Sequence, residues 1–127
     1  VVYRVSRQDF FRLLRTNPDF NADYLQNLLK NQIFLIDRIV YQGESTLDRK
    51  MLKWLLFMAK YYCDHTESGC RIYVPLTHDE IANFLHVTRE SAGKTLNKLA
   101  KTNLITLDRK HIIIPDMSKI TVTLQDI

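Results

Sequence analysis

Arg89, Glu90 and Lys94 bring three strongly hydrogen-bonding side chains close together in the sequence. Arginine and lysine can donate hydrogen bonds to O6 and N7 of guanine, and a carboxylate can accept one from N4 of cytosine. Nearby hydroxyl and amino groups can bind phosphates and set the register without reading bases; these groups belong to Thr77, Thr88, Ser91 and Lys98. The segment therefore has the chemistry needed to read a DNA duplex.

Two short amphipathic helices are predicted to position these groups. Thr77 is a suitable N-cap, and Glu80 completes a capping box. His86 and Val87 then break the helix, and Thr88 caps a second one. The apolar residues of this second helix follow helical spacing, at Ala92, Leu96 and Leu99. Its opposite face is rich in donors, at Arg89, Ser91, Lys94, Asn97, Lys98 and Lys101. Two helices joined in this way are typical of a helix-turn-helix, whose second helix enters the major groove with its leading end.

A hairpin is predicted directly after the second helix. Residues 103–107 and 112–115 are rich in apolar and β-branched residues, and a polar link at 108–111 separates them. A hairpin in this position is a wing, and Arg109, Lys110 and His111 at its tip could reach adjacent phosphates. An ordinary solvated turn explains the same tip residues equally well.

Two segments of this region resemble a known family. TRESAGK at residues 88–94 resembles the SRETVGR sequence of the recognition helix in the Crp/Fnr family of bacterial transcription regulators, and LTHDEIA at residues 76–82 resembles that family's ITRQEIG. The resemblance implies that Arg89, Glu90 and Lys94 contact bases and that Thr77 contacts a phosphate. Lys94 stands where the family usually has arginine, so weaker guanine readout is expected from a point charge than from a bidentate fork.

His86 stands where this family often has a turn glycine. The position then calls for a left-handed backbone, which histidine adopts more readily than most residues but still at a cost.

A long helix is predicted from about Asp19 to Tyr41, ended by Gly43. One stripe along it follows a heptad seam, at Leu25, Leu28, Gln32, Leu35 and Ile39. A second apolar set lies beside that stripe, at Leu29, Ile33, Ile36 and Val40. Two adjacent stripes favour dimerisation, although burial of the helix within one core is the alternative. The resemblance implies a homodimer, which would place two recognition helices one DNA turn apart on a near-palindromic site.

The remaining segments complete a mainly α fold with a small β wing. A short helix is expected at 7–15 and a helix at 47–63 that is apolar nearly all round, so that Trp54 lies in the core. Residues 1–5 are expected to form a strand, by resemblance the last of a β-roll sensor domain that is largely missing from this sequence. A short segment at 117–120 and a short strand at 121–124 are expected to follow the wing. The predicted domains are 1–18 (end of the sensor domain), 19–43 (dimerisation helix) and 44–127 (winged helix-turn-helix domain).

Charge and composition restrict the functional class. The formal net charge is +4, which is mild, but residues 88–101 carry four basic side chains against one acidic side chain. Such a local excess predicts salt-dependent DNA binding through counterion release. The sequence contains no membrane-length apolar run, Gly-rich phosphate loop, nucleophile motif or paired-carboxylate signature. We therefore expect no catalytic residues and no membrane association.

Cys63, His65, Cys70 and His78 could be read as a zinc site, but their spacing matches no common zinc motif. We therefore expect no metal. A disulfide between the two cysteines is an open alternative, although a cytoplasmic protein normally keeps its thiols reduced. A redox switch stays open as a hypothesis.

The sequence thus predicts a cytoplasmic, sequence-specific transcription regulator that binds DNA as a homodimer and contacts RNA polymerase. An unidentified effector would be sensed in the absent N-terminal domain, and no cofactor is expected within this chain. The alternative is a winged-helix module that docks another protein without binding DNA.

Overall fold

A computed structural model describes every residue from Val1 to Ile127. The elements in chain order are α1 (Arg7–Thr16), α2 (Pro18–Gln42), α3 (Leu47–Tyr61), β1 (Cys63–Thr66), β2 (Gly69–Ile72), α4 (His78–Leu85), α5 (Arg89–Lys101), β3 (Thr106–Asp108), β4 (His111–Ile114) and α6 (Met117–Asp126). The expected fold class, mainly helical with a small antiparallel sheet, is confirmed.

The chain divides into two compact units, Val1–Ile36 and Asp37–Ile127. In the first unit, α1 begins at Ser6, whose hydroxyl accepts a hydrogen bond from the Asp9 amide. Phe10 packs edge-to-face against Phe20 and Tyr24, with ring centroids 6.1 and 5.1 Å apart. The boundary between the units lies within α2, upstream of the division expected after residue 43. The three-domain scheme stays a prediction.

The core of the second unit is built around α3. Trp54 has no solvent-exposed surface, which confirms the predicted core position, and the neighbouring Met51 and Leu55 are equally buried. The other helices and the sheet each contribute fully buried side chains to this core, at Ile72, Ile81, Leu85, Leu96, Ile114 and Ile120. The helix-turn-helix therefore packs against the apolar surface of α3, as the apolar pattern of α3 predicts.

The last turns of α2 are fastened to α3. Tyr41 is buried, and its ring lies 5.2 Å from that of Phe57. Asp37 accepts hydrogen bonds from Lys60 Nζ at 2.5 Å and from the Tyr61 hydroxyl at 2.6 Å. The hydrogen bond from Lys60, and to a smaller extent that from Tyr61, holds the pKa of Asp37 below its usual range. The end of the long helix therefore belongs to the second unit.

Helix α2 ends at Gln42, and the next residue is Gly43, as predicted. Glu44 forms ion pairs with Lys53 and Arg49 of α3. Hydrogen bonds from Lys53 and then Arg49 hold the pKa of Glu44 below its usual range. Thr46 caps α3 by accepting a hydrogen bond from the Arg49 amide. Local caps and ion pairs thus fix where α3 begins.

A four-stranded antiparallel sheet has the order β1-β2-β4-β3. The hairpin of β3 and β4 is the predicted wing, with its turn at Arg109 and Lys110. The hairpin of β1 and β2 is a difference from the sequence prediction. The apolar pattern predicts that α3 continues to Cys63, but the helix ends at Tyr61 and Cys63 begins β1. The Tyr73 amide donates to the Tyr62 carbonyl at 3.0 Å, which closes this hairpin at its base.

Two terminal expectations are wrong. Residues 1–5 form no strand, because no other segment of the 127 residues pairs with them. Residues 121–124 belong to α6, not to a strand. Ile120 is buried, and the Thr123 hydroxyl donates to the Lys119 carbonyl at 2.7 Å. The packing of α6 on the core through Ile120 outweighs the strand preference of the alternating threonines, and the Thr123 hydroxyl finds an acceptor within the helix.

Candidate nucleic-acid interface

The capping box predicted for α4 is present. The Thr77 hydroxyl accepts from the Glu80 amide at 3.2 Å, and the Thr77 amide donates to Glu80 Oε2 at 2.7 Å. The hydrogen bond from the Thr77 amide holds the pKa of Glu80 below its usual range. The Thr77 hydroxyl and, more weakly, the charge of Lys110 act in the same direction. Thr77 therefore already uses its amide and hydroxyl within the cap.

The turn between α4 and α5 has the left-handed residue that the sequence indicates. His86 has φ 56° and ψ 45°, and its amide closes the end of α4 by donating to the carbonyls of Ala82 and Asn83. A left-handed histidine is less favourable than glycine. The turn is therefore formed at a small local cost in stability.

Thr88 caps α5, the second helix of the helix-turn-helix. The Thr88 hydroxyl accepts from the Ser91 amide at 3.1 Å and donates to Ser91 Oγ at 2.8 Å. Because Thr88 supplies that hydrogen, the Ser91 hydroxyl keeps its own hydrogen for another acceptor. The inner stripe is buried as predicted, at Ala92, Leu96 and Leu99.

Gly93 provides close packing between the two helices. An added Cβ at this position would lie 3.3 Å from Nδ1 of His78, the first residue of α4. This is tighter than ordinary van der Waals contact. Glycine therefore lets the leading turns of α5 lie directly beside the start of α4.

The three predicted base-reading side chains all point into solvent. The Arg89 guanidinium lies 3.6 Å from the Asp79 carboxylate of α4, and their side chains are 70% and 64% exposed. Lys94 Nζ lies 3.0 Å from Glu90 one turn earlier on the same helix. Exposed pairs of this kind contribute little to stability. Arg89, Glu90 and Lys94 can therefore exchange these partners for a ligand at small cost.

Lys98 lies further along α5. Its Nζ is 2.6 Å from a carboxylate oxygen of Asp48 in the first turn of α3, while its side chain is still 63% exposed. An anion bound by Lys98 would have to share it with Asp48 or displace that carboxylate.

The wing is tied to the beginning of α4. The Leu76 amide donates a hydrogen bond of 2.8 Å to the carbonyl of Lys110 at the wing tip. The charge of Lys110 also contributes to lowering the pKa of Glu80. Arg109, next to it, is left-handed with φ 55°. One surface therefore combines the wing tip, the start of α4 and the leading turns of α5.

The predicted dimer stripe is exposed along α2. Leu25, Leu28, Leu35 and Ile39 are 54, 40, 48 and 67% exposed, and Gln32 is also exposed. The second apolar set is exposed as well, at Leu29, Ile33, Ile36 and Val40.

None of the helices is long and apolar enough to cross a membrane.

Sequence reasoning missed two contacts at or near this surface. The acidic partners of Arg89 and Lys98, Asp79 and Asp48, were not singled out. Asp79 had no local signal, because it lies on the preceding helix and only the helix-turn-helix geometry brings it near Arg89. Asp48 had none, because it is 50 residues away from Lys98 in the sequence. No three His, Cys, Asp or Glu side chains are grouped so that they could hold a metal ion.

Comparison with known proteins decides the family. Residues 49–121, more than half of the chain, match the family model of the Crp-like helix-turn-helix domain. The chain belongs to this family. The predicted Crp/Fnr relationship is thereby confirmed.

Relatives extend the similarity beyond the matched domain. A probable transcriptional activator from Rhizobium leguminosarum bv. viciae is 26% identical over 110 residues, which cover 86% of this chain and 46% of that protein. A CRP-family regulator from Thermus thermophilus has a TM-score of 0.70 at 19% identity, over 87% of this chain and 56% of that one. A double mutant of CooA from Carboxydothermus hydrogenoformans has a TM-score of 0.75 at 18% identity, over 92% and 54% of the two chains. The Crp-like chain thus spans about half the length of the relatives it matches.

Proposed function

We propose that this protein is a sequence-specific DNA-binding transcription regulator that acts as a homodimer on a near-palindromic site. The observation that carries the proposal is the outer face of α5, where Arg89, Glu90 and Lys94 are exposed above a fully buried stripe. A helix in this arrangement can enter the major groove while its inner side stays packed. Membership of the Crp-like family supports the same function.

The residues divide into two roles. Arg89, Glu90 and Lys94 contact base edges, because their side chains extend from the first two turns of α5. The phosphate contacts flank them and set the register; they are Thr77, Thr88, Ser91, Lys98 and Lys110. In this structure Thr77 and Thr88 donate within their helix caps and Lys98 pairs with Asp48, so these three would have to exchange their partners for a phosphate. The free hydrogen of the Ser91 hydroxyl and the position of Lys110 beside the start of α4 support this division.

The apolar surface of α2 is the proposed dimer interface. Its stripe at Leu25, Leu28, Gln32, Leu35 and Ile39 would pair with the same residues of a second copy, as a two-fold interface requires. Exposed apolar side chains on several successive turns are unusual for a surface that stays in water. This exposure supports pairing, since no part of residues 1–127 buries the stripe.

The rest of the protein would supply control. We assign effector sensing to a domain outside this sequence, since the chain spans about half the length of its relatives. A regulator that binds chromosomal DNA would act in the cytoplasm, and RNA polymerase is its proposed protein partner there.

Gel-shift titration of the full-length protein on random duplexes at two salt concentrations tests the proposal. A DNA-binding regulator loses affinity steeply as salt rises. A winged helix that only docks proteins would show no binding at low salt, and that result would contradict the proposal.

A further inference from the structure

The hairpin of β1 and β2 joins the two cysteines of the chain. Cys63 and Cys70 form a disulfide, with their Cα atoms 5.7 Å apart. This Cα separation is usual for disulfides. Cys63 pairs in register with Ile72, and Cys70 with His65. Because side chains alternate along a strand, both cysteines lie on the same face of the hairpin.

The two thiol positions differ in access. Cys70 is 4% exposed, whereas Cys63 is half-buried at the start of β1. An incoming reagent would therefore meet Cys63 first. Cys70 is placed to complete the exchange from within the protein.

A permanent disulfide is unusual in a cytoplasmic protein, where disulfides that do form are mostly transient. We propose that Cys63 and Cys70 are a reversible thiol–disulfide exchange site for a low-molecular-weight disulfide such as glutathione disulfide. This inference rests on the proposed function, because a DNA-binding regulator would act in the cytoplasm. We further propose that the oxidised form binds DNA more tightly than the reduced form.

The exchange has two steps. The Cys63 thiolate attacks one sulfur of glutathione disulfide, which breaks its S–S bond and releases one glutathione thiolate. The Cys70 thiolate then attacks the Cys63 sulfur of the mixed disulfide and releases the second glutathione. The two cysteines lose two electrons, glutathione disulfide gains them, and the two thiol protons pass through solvent to the departing thiolates.

The hairpin is connected to the proposed DNA surface by two routes. Strand β2 pairs with β4, the second strand of the wing, with Cys70 opposite Ile114. Strand β2 also leads, within a few residues, to Leu76, whose amide is bonded to the wing tip at Lys110. An intact disulfide limits the freedom of β1 and β2, so less ordering remains to be done when DNA binds.

Reduction leaves β1 as an edge strand without its covalent link. The base of the hairpin is then held by the Tyr62–Tyr73 backbone bond, and its turn by the bond from the Thr66 hydroxyl to the Gly69 carbonyl at 3.0 Å. We expect this edge to open more often, which loosens the support of the wing.

The redox state can be read from one peptide. Cleavage after Lys60 and Arg71 releases both cysteines in a single tryptic peptide, residues 61–71. The full-length protein is equilibrated in glutathione buffers of graded ratio, quenched with acid and alkylated, and this peptide is analysed by mass spectrometry. DNA affinity is measured on the same samples by fluorescence anisotropy with the protein's selected site and with a scrambled duplex.

We expect the peptide to convert reversibly between a doubly alkylated and a disulfide form within the cytosolic range of glutathione ratios, and the oxidised protein to bind about fivefold tighter or more. Cys63→Ser should abolish the redox dependence. Thr66→Ala, which alters the same hairpin without touching a thiol, should retain it.

Three results would overturn the proposal: no disulfide at any of these ratios, equal DNA affinity of both forms, or a redox dependence that persists in Cys63→Ser. Failure of the proposed function looks different. In that case neither redox form would prefer the selected site over the scrambled duplex, and the peptide would still show whether the exchange takes place.

Discussion

Arg89 of α5 lies 3.6 Å from Asp79 of α4, so the main candidate for base reading has an acidic partner in the free protein. Both side chains are largely exposed, and the pair can separate at small cost. Asp79 would also repel phosphates nearby. In the proposed complex the Arg89 guanidinium would therefore exchange the Asp79 carboxylate for acceptor atoms of a base.

Replacing Arg89 should relax sequence preference. Arg89→Ala removes a bidentate donor to guanine and should cost about 1–3 kcal/mol at the affected base pair, with a smaller loss on scrambled DNA. Asp79→Asn is the matched control, because it frees the guanidinium and should strengthen binding to both duplexes. Competition titrations with the selected and scrambled sites measure both effects. Equal losses for Arg89→Ala on the two duplexes would contradict direct base readout.

Lys98 should behave as a phosphate contact. Lys98→Ala should weaken binding to all sequences and reduce the slope of log affinity against log salt by about 0.9. Asp48→Asn should do the opposite, since it releases the Lys98 ammonium from its 2.6 Å pair. Anisotropy titrations over a range of salt concentrations give the slopes. An unchanged slope in Lys98→Ala would assign this lysine to the Asp48 ion pair alone.

The α2 stripe should control assembly. Leu28→Glu places a charge in each copy of a two-fold interface and removes about 1.5–3 kcal/mol of apolar burial per copy, which should weaken the dimer about a hundredfold or more. Val122→Glu on α6 is a control of similar exposure outside the stripe, and it should leave the dimer intact. Sedimentation velocity over a concentration series separates the two outcomes. A monomeric wild-type protein would refute the interface.

The bond network of Asp37 should make stability depend on pH. Because the folded protein lowers the pKa of this carboxyl, its contribution is present above the pKa of unfolded aspartate, about 3.9, and is lost as pH falls through the lower folded value. Asp37→Asn should therefore lower the urea midpoint at pH 7, by an amount that shrinks from about pH 5 downward. Asp23→Asn, on the same helix but without an ion pair, is the control and should change the midpoint little at pH 7.

The left-handed turn residue offers a test of the helix-turn-helix geometry. His86→Gly should stabilise the protein by about 0.5–1 kcal/mol, because glycine adopts φ 56° without strain. His86→Val should destabilise it, since a branched side chain is poorly tolerated there. Urea unfolding at fixed protein concentration measures both changes. A glycine variant that is less stable than wild type would show that the imidazole makes a compensating contact.

Local signals explain which parts of this structure could be predicted. The Thr77 and Thr88 caps and the apolar spacing of α5 depend on residues close together in the sequence, and both were placed correctly. The β1–β2 hairpin was not predicted, because the apolar pattern of α3 continues up to Tyr62. The sequence therefore gives no sign that the helix ends there and a strand begins. A turn signal, Glu67-Ser68-Gly69, was available between two short runs of strand-forming residues.

Other features depend on distant residues and could not be read locally. The helical state of residues 121–124 results from the packing of α6 on the core through Ile120, against the strand preference of threonine. The pairing of Lys98 with Asp48 and the bond between Leu76 and Lys110 likewise join segments that only the fold brings together. Candidate side chains could be named from the sequence, but their partners in the free protein could not.

Selection of binding sites from a pool of random duplexes tests the central claim most directly. With the full-length protein, we predict enrichment of a near-palindromic sequence whose half-sites are centred about 10–10.5 base pairs apart, and loss of preference at one position of each half-site in Arg89→Ala. A pool that stays random for the wild-type protein, or an identical enriched sequence for Arg89→Ala, would contradict the assignment of α5 as the helix that reads DNA.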